Sequence, residues 1–251
     1  MKFTDPYQNP ALYDAQYWWK KNDLELWKFL AHSYKVKNVL EIGSGTGRVG
    51  ISLLMDGFIY SGVELSVIFN SYFIKKINSL GMKANVYNEN FESFNLKKRF
   101  DFILSAFNTF NHCLSKKSFA KMLINISKHL DIKGRFVFEL FVPDPLALYR
   151  SQSLKLDLME YTCPSTYKSI QIKESISYNH INHIINVRWY YYQSNTLINK
   201  IKFNMKAWHP ETVINMIDNS PFIIEKIIGD YDGGDFNSQS KKQIFICKND
   251  F

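Results

Sequence analysis

Cysteine is scarce in this chain: Cys113, Cys163 and Cys247 are the only three in 251 residues. They are widely spaced and form no CxxC or Cys/His ligand pattern, so neither a disulfide framework nor a zinc site is supported, and no metal is expected. Proline (7) and glycine (11) are also sparse, which argues against a fibrous or disordered chain. No apolar run approaches the ~20 residues that span a bilayer. The opening Met1-Lys2-Phe3-Thr4-Asp5-Pro6 lacks the charged-then-apolar order of a signal peptide. A soluble, cytoplasmic protein with reduced thiols and no membrane partner is expected. Acids are outnumbered, 23 Asp and Glu against 31 Lys and Arg, for a formal charge of +8. Such an excess invites a nucleic-acid reading, because lysine clusters neutralise phosphates. The clusters Lys75-Lys76, Lys97-Lys98-Arg99, Lys116-Lys117 and Lys241-Lys242 are short and scattered beside element ends, which is the pattern of solvated surface. Nucleic acid is therefore not the expected partner.

What the chain does have is 46% apolar and 16% aromatic residues, enough to bury a full core in one domain with room for an insertion. Residues 1–35 carry Tyr7, Tyr13, Tyr17, Trp18, Trp19 and Trp27 with charges between them at amphipathic-helix spacing, and are expected to cover the mouth of the domain. Residues 36–42 end in an apolar strand that runs straight into Gly43-Ser44-Gly45-Thr46-Gly47. A helix over 48–55, a strand over 58–63 closing on Glu64, and a helix over 67–80 stopping at Gly81 complete two βα units. Further strands are predicted over 82–87, 100–106 and 135–141, with a helix over 117–130 capped by Ser115 or Ser118 and stopped near Gly134. This alternation predicts a doubly wound, Rossmann-like α/β fold whose ligand crevice lies at the strands' carboxyl ends.

Between 143 and 208 the period changes to two, at 168–178, 184–193 and 201–207, predicting an inserted antiparallel β subdomain that walls a substrate pocket. A helix over 210–218 and strands over 222–228 and 243–247 close the chain as an antiparallel terminal hairpin, giving a mostly parallel seven-stranded sheet. The expected division is 1–35, then 36–142 with 209–251, and the inserted 143–208.

Three alternating glycines after a buried strand let the main chain approach a ligand that any Cβ would push away. Glu64, about 20 residues on, is placed to accept from both hydroxyls of a ribose. Gly45-Thr46-Gly47-Arg48-Val49-Gly50 also matches GxGxxG, the dinucleotide pattern, but that register starts two residues late, since Gly43 already follows the strand. Glu41 at the strand's end would repel a pyrophosphate yet suits a ligand bearing an ammonium and a sulfonium. The terminal antiparallel hairpin also departs from the dinucleotide strand order.

Val39 to Arg48, together with Gly62-Val63-Glu64-Leu65-Ser66, resembles the first two motifs of class I S-adenosylmethionine-dependent methyltransferases. The stretch from Arg99-Phe100-Asp101-Phe102-Ile103 to Phe107-Asn108-Thr109-Phe110-Asn111-His112 resembles the fourth motif. Residues 130–143 resemble the fifth strand, with Lys133 where a glycine is common, and Gly229-Asp230-Tyr231-Asp232-Gly233 resembles bacterial small-molecule members. The resemblance implies S-adenosylmethionine as donor and S-adenosylhomocysteine as product. It implies that Gly43, Ser44, Gly45, Gly47 and Arg48 form the donor loop, with Glu41 facing the amino group, Glu64 and Leu65 at the ribose, and Ala106 near the donor. Asn90 stands where an aspartate often contacts adenine; Glu89 competes for that role, and Phe91 is a candidate to stack on the ring.

Methyl transfer from a sulfonium is an in-line displacement that needs positioning more than acid or base work. If the acceptor must lose a proton, His112 is the candidate base, with Asn108 lining the pocket. Tyr13, Tyr17, Trp18, Trp189, Tyr190 and Tyr231 are candidate substrate contacts, although aromatics at such spacing also serve packing. The expected partner is a small-molecule acceptor, methylated at N or O, bound by a monomer or homodimer. An RNA or protein methyltransferase and a non-catalytic donor-binding protein are the rivals.

Overall fold

The computed structural model describes residues 3–250, so Met1, Lys2 and Phe251, at the ends of the expected 1–35 and 209–251 ranges, lie outside the described residues. In chain order the α-helices are α1 (Pro10–Gln16), α2 (Leu24–Ser33), α3 (Arg48–Met55), α4 (Val67–Ser79), α5 (Lys116–His129), α6 (Pro145–Leu148) and α7 (Pro210–Asp218). The first strands are β1 (Asn38–Ile42), β2 (Ile59–Val63), β3 (Asn85–Tyr87), β4 (Phe100–Ser105) and β5 (Leu130–Phe141). Then come β6 (Leu156–Thr162), β7 (Ser169–Asn179), β8 (Ile184–Gln193), β9 (Thr196–Lys206), β10 (Phe222–Ile228) and β11 (Lys242–Asn249). Two units result. One holds residues up to Lys21 with Pro143–Ala207, the other Asn22–Val142 with the chain from Trp208 onward.

The larger unit is a seven-stranded sheet in the order β10-β11-β5-β4-β1-β2-β3. The pairs β5-β4, β4-β1, β1-β2 and β2-β3 are parallel, whereas β11 runs antiparallel to both β5 and β10. Strands buried on both faces must be apolar throughout, which is why β4 reads FDFILS and β5 ends RFVFELF. Successive side chains then divide between two cores. Leu40, Ile42, Ile103, Phe136, Phe138 and Leu140 pack under α5 and α7; Val39, Phe102, Leu104, Val137, Ile244 and Ile246 pack under α2, α3 and α4. The doubly wound, mostly parallel seven-stranded architecture with a terminal antiparallel hairpin is thus present as expected.

Helix α5 shows how local sequence sets an element. Ser115 Oγ accepts from the Ser118 amide at 3.1 Å, capping the amino end, and Phe119, Met122, Leu123 and Ile126 fill one face. Its other end differs from the sequence reading. The helix stops at His129, and β5 starts at Leu130 with no intervening loop, so Gly134 lies inside a strand. The ladder slips between Phe100 and Phe102, and a Cβ on Gly134 would come 2.9 Å from the Asp101 carbonyl oxygen. The glycine is there for that close approach, within a bulge.

The smaller unit carries the four-stranded antiparallel sheet β6-β7-β8-β9. Its alternation is plain in β8, where Ile185, Val187, Trp189 and Tyr191 are buried and their neighbours are not. The N-terminal segment belongs to this unit: Thr4 bridges to Ile201, and the Tyr191 hydroxyl donates to Gln16 Oε1 at 3.0 Å. Strand β6 and helix α6 were absent from the sequence reading. Strand β6 alternates poorly, with Leu156 and Leu158 exposed, because it is an edge strand held by its ladder to β7. No described helix is long and apolar enough to cross a membrane.

Candidate active site

The carboxyl ends of the parallel strands carry the glycine loop. Ile42 completes β1, and the amides of Gly43 and Ser44 both donate to the Val63 carbonyl, at 2.8 and 3.0 Å, locking the loop against the end of β2. Gly45 (φ 54°) and Gly47 (φ 86°) both adopt left-handed backbone. Their surroundings differ. A Cβ on Gly47 would sit 2.0 Å from the buried Phe73 ring, whereas one on Gly45 would meet nothing nearer than 4.0 Å. Gly47 is required by the protein's own packing; Gly45 leaves an open approach to the main chain.

Glu64 follows β2 and turns toward this opening. Its Oε2 accepts from the Gly45 amide at 2.9 Å and its Oε1 from the Ser66 amide at 2.7 Å. Burial raises its pKa, opposed by those two amides. Each oxygen keeps a further lone pair, so a vicinal diol could be received by a carboxylate already held in place. Leu65, the next residue, is exposed.

Glu41 is the second acid. It is 3% exposed on the face of β1 shared with Val39, and the Tyr60 hydroxyl donates to its Oε2. Burial pushes its carboxyl up from 4.5 to about 8, against the pull of Tyr60 and Arg48. A buried carboxylate in that condition ionises readily only when a cation is brought beside it. Arg48 is held elsewhere: its two terminal nitrogens grip both oxygens of Asp23 at 2.6 and 2.8 Å, and its guanidinium lies 5.6 Å from the Phe107 ring centroid. Asp23 is fully buried and also accepts from Trp27 Nε1 at 3.2 Å.

Beyond β4 the chain passes buried Ala106 and then places Phe107 (φ 53°) and Asn108 (φ 61°) consecutively in left-handed backbone. Such conformations in residues other than glycine cost on the order of 1–3 kcal/mol each and cluster at functional sites. Thr109 Oγ1 donates to the Ala106 carbonyl, and the Trp208 indole donates to the Phe110 carbonyl, fixing the turn. A short 3-10 helix, Thr109–His112, follows, with Asn108 at its N-cap making no capping bond and His112 half-buried.

The remaining candidates are dispersed. Asn90 Oδ1 accepts from the Glu92 amide in an Asx turn, and Phe91 packs edge-on to Phe110 in the core under α5. Tyr231 stands in the loop after β10, within the loop-bearing unit, and, like Phe107, packs on the core beneath α2, α3 and α4. Tyr13, Tyr17, Trp18 and Trp189 belong to the antiparallel unit. The Tyr13 and Tyr17 rings pack tilted against each other with centroids 4.7 Å apart, Trp18 is 63% exposed, and the Trp189 indole donates to Glu174 at 3.0 Å. Tyr190 packs on Phe3. Among the described residues no group of His, Cys, Asp and Glu is disposed to hold a metal ion.

Sequence reasoning missed Asp23, Tyr60 and Glu139. For Glu139 a signal existed, since it is the one charged residue in the apolar run Phe136-Val137-Phe138-Glu139-Leu140-Phe141. Asp23 reads locally as a helix cap, and only the folded chain turns it toward Arg48.

The arrangement can receive a flat, cationic nucleoside: open main chain at Gly45, a diol acceptor in Glu64, and a buried acid in Glu41. Residues 39–134 match the family model described as a methyltransferase domain, a span that holds the glycine loop, Glu64 and the Asn108–His112 turn. No curated protein matches the chain in sequence. Among solved structures it is similar to an S-adenosylmethionine-dependent methyltransferase from Clostridium acetobutylicum, at 14% identity and TM-score 0.79, covering 95% of this chain and 96% of that one. It is also similar to the sugar N-methyltransferase KedS8 from Streptoalloteichus, at 12% identity and TM-score 0.75, covering 99% and 96%. A third is CalS10, an amino pentose methyltransferase from Micromonospora echinaspora solved with S-adenosylmethionine, at 13% identity and TM-score 0.72, covering 99% and 100%. Residues 39–134 thus carry the pattern of a methyltransferase domain, and the chain has the fold shared by these S-adenosylmethionine-dependent methyltransferases.

Proposed function

We propose that this protein transfers a methyl group from S-adenosylmethionine to a nitrogen or oxygen atom of a small molecule, with amine-bearing sugars as the leading acceptors. The observation that carries the reading is the Glu64 carboxylate, held by the Gly45 and Ser66 amides beside the one loop glycine that nothing covers. In this reading Gly43, Ser44, Gly45 and Gly47 pass the methionine part of the donor, Glu64 receives the ribose hydroxyls, and Glu41 faces the ammonium. Arg48 braces the loop through Asp23. When bound, the donor supplies a methyl on a sulfonium, which departs as a neutral thioether.

The chain's own work is to orient and to dry. Asn108 and His112, presented by the strained turn after β4, line the acceptor side, and His112 takes a proton where the acceptor must lose one. Asn90 and Phe91 are assigned to the adenine end. Tyr231 is assigned to the acceptor, as are Tyr13, Tyr17 and Trp18; Trp189, engaged with Glu174, is the weakest of these assignments. The antiparallel unit is assigned substrate selection.

Two further points support a small acceptor. KedS8 and CalS10 are described as acting on sugars, the former at nitrogen and the latter on an amino pentose. A basic cavity of about 610 Å³, lined by Lys97, Lys98, Arg99, Lys121 and Lys128 with Glu92, lies where β4 and β5 begin. That is the sheet end opposite to the glycine loop, and a nucleic acid drawn there would be far from the donor.

Calorimetry with S-adenosylmethionine, S-adenosylhomocysteine and NAD, followed by transfer of a labelled methyl to amino sugars, neutral sugars and RNA, tests the reading. Binding of the first two without NAD, and label on an amino sugar, is expected. Binding of NAD alone overturns it.

A further inference from the structure

Glu139 has no part in the donor site described above, yet it is a carboxylate in the apolar run that ends β5. It is 2% exposed, between buried Phe138 and Leu140. The ladder pairs Leu104 with Val137 and Ser105 with Phe138, so Glu139 stands one step beyond the last residue of β4, at the carboxyl end of the sheet. Alternation sends Phe136, Phe138 and Leu140 to one core and Val137 to the other. Glu139 therefore shares a face with Val137, Leu104, Val39 and Glu41.

Register fixes its place relative to the donor loop. Glu41 pairs with Leu104, which pairs with Val137. Glu139 is thus two strands across from Glu41, about 10 Å, and two residues further out, about 7 Å. If Glu41 faces the donor's amino group, Glu139 lies past the methyl, on the acceptor side. Its neighbour is Tyr231: Ile228 and Glu139 both pair with Ile244, which brings the loop after β10 to this end of β5, and burial first, then the Glu139 charge, raise that tyrosine's pKa. The charges of Asp23 and Arg48 also act on Tyr231, and Tyr231 and Phe107 pack against the same core beside the donor loop and the strained turn.

We propose that Glu139 is a positioning and specificity-determining residue: it fixes the Tyr231 phenol at the acceptor end of the site, and the pair selects an amine over a hydroxyl. The inference rests on the methyl-transfer reading and narrows it to nitrogen. In the step it serves, the substrate's ammonium first releases one proton, which His112 takes and passes to solvent. The nitrogen lone pair then forms the bond to the methyl carbon as the carbon–sulfur pair withdraws onto sulfur, and the product leaves as a methylammonium. Positive charge grows on nitrogen throughout, and a fixed carboxylate–phenol pair favours that charge in a dry site. A hydroxyl acceptor that must shed its proton gains no such help.

The test uses the full chain, S-adenosylmethionine, and matched acceptors that differ only in amine or hydroxyl, such as glucosamine with glucose and galactosamine with galactose. Glu139→Gln keeps shape and removes charge; Tyr231→Phe, on a loop, removes only the hydroxyl and guards against a folding defect. Each is expected to lower kcat/KM for the amino sugar about tenfold or more, mostly in kcat, with donor affinity unchanged. The double variant should be little worse than either single one, because both act through one unit. An amine-to-hydroxyl preference equal to wild type in both variants overturns the proposal while leaving methyl transfer standing. A wild-type protein that binds S-adenosylmethionine but methylates only hydroxyls, or nothing in the panel, overturns the amine reading, and this inference with it.

Discussion

Two alanine substitutions two residues apart should separate the scaffold of the loop from its ligand surface. In Gly47→Ala the new methyl lands 2.0 Å from Cδ2 of Phe73 and 2.7 Å from its Cγ. Phe73 is fully buried, and Cγ is not a mobile tip, so the ring or the helix must move. The left-handed backbone adds about 1–2 kcal/mol for a residue with a Cβ, and overpacking a full core adds roughly 1–3 kcal/mol. A loss of about 3–4 kcal/mol lowers the melting temperature by roughly 10 °C at this chain length. In Gly45→Ala nothing lies within reach of the methyl except the Gly43 carbonyl at 4.0 Å. Only the backbone term applies, about 1 kcal/mol, or a few degrees. That methyl does project where the donor is proposed to pass, so affinity for S-adenosylmethionine should fall at least tenfold, about 1.4 kcal/mol. Thermal melts and calorimetry on both variants read the two effects separately. Wild-type donor affinity in Gly45→Ala would refute the placement of the donor, and a wild-type melt in Gly47→Ala would refute the packing argument.

Glu64→Ala is expected to weaken S-adenosylmethionine by roughly 2 kcal/mol, about thirtyfold, the scale of a lost charged acceptor, and calorimetry at one pH checks it. Glu41 predicts a pH dependence. Its folded pKa, about 8, lies above the ordinary 4.5, so the stability it confers is complete below about 4.5 and is lost as pH rises toward 8. The melting temperature of Glu41→Gln should therefore gain on that of wild type between pH 5 and 8.5, and a constant gap would contradict the assignment. Ser115→Ala removes the cap of α5 and should cost about 1 kcal/mol, a shift of a few degrees, with donor affinity untouched.

Much of this protein was legible without coordinates because its signals are local. A buried parallel strand must be apolar, a left-handed turn against it asks for glycine, and an acid closing the next strand lies a fixed βα unit away; Val39 to Gly47 and Glu64 declare all three. Helices α3 and α7 and strands β8 and β10 fall where periodicity and turn residues put them. Tertiary structure decided what local pattern cannot encode. Strand β5 begins at Leu130, directly after α5, because Phe100 offers it a ladder partner, and Gly134 serves the passing Asp101 backbone rather than ending a helix. Weakly patterned β6 exists because β7 pairs with it. Arg48 finds Asp23, 25 residues before it, and Glu139 comes near Tyr231, far along the chain, because strand order brings those segments to one end of one sheet. Sequence specifies which side chains must hide; only the folded sheet specifies which buried charges meet.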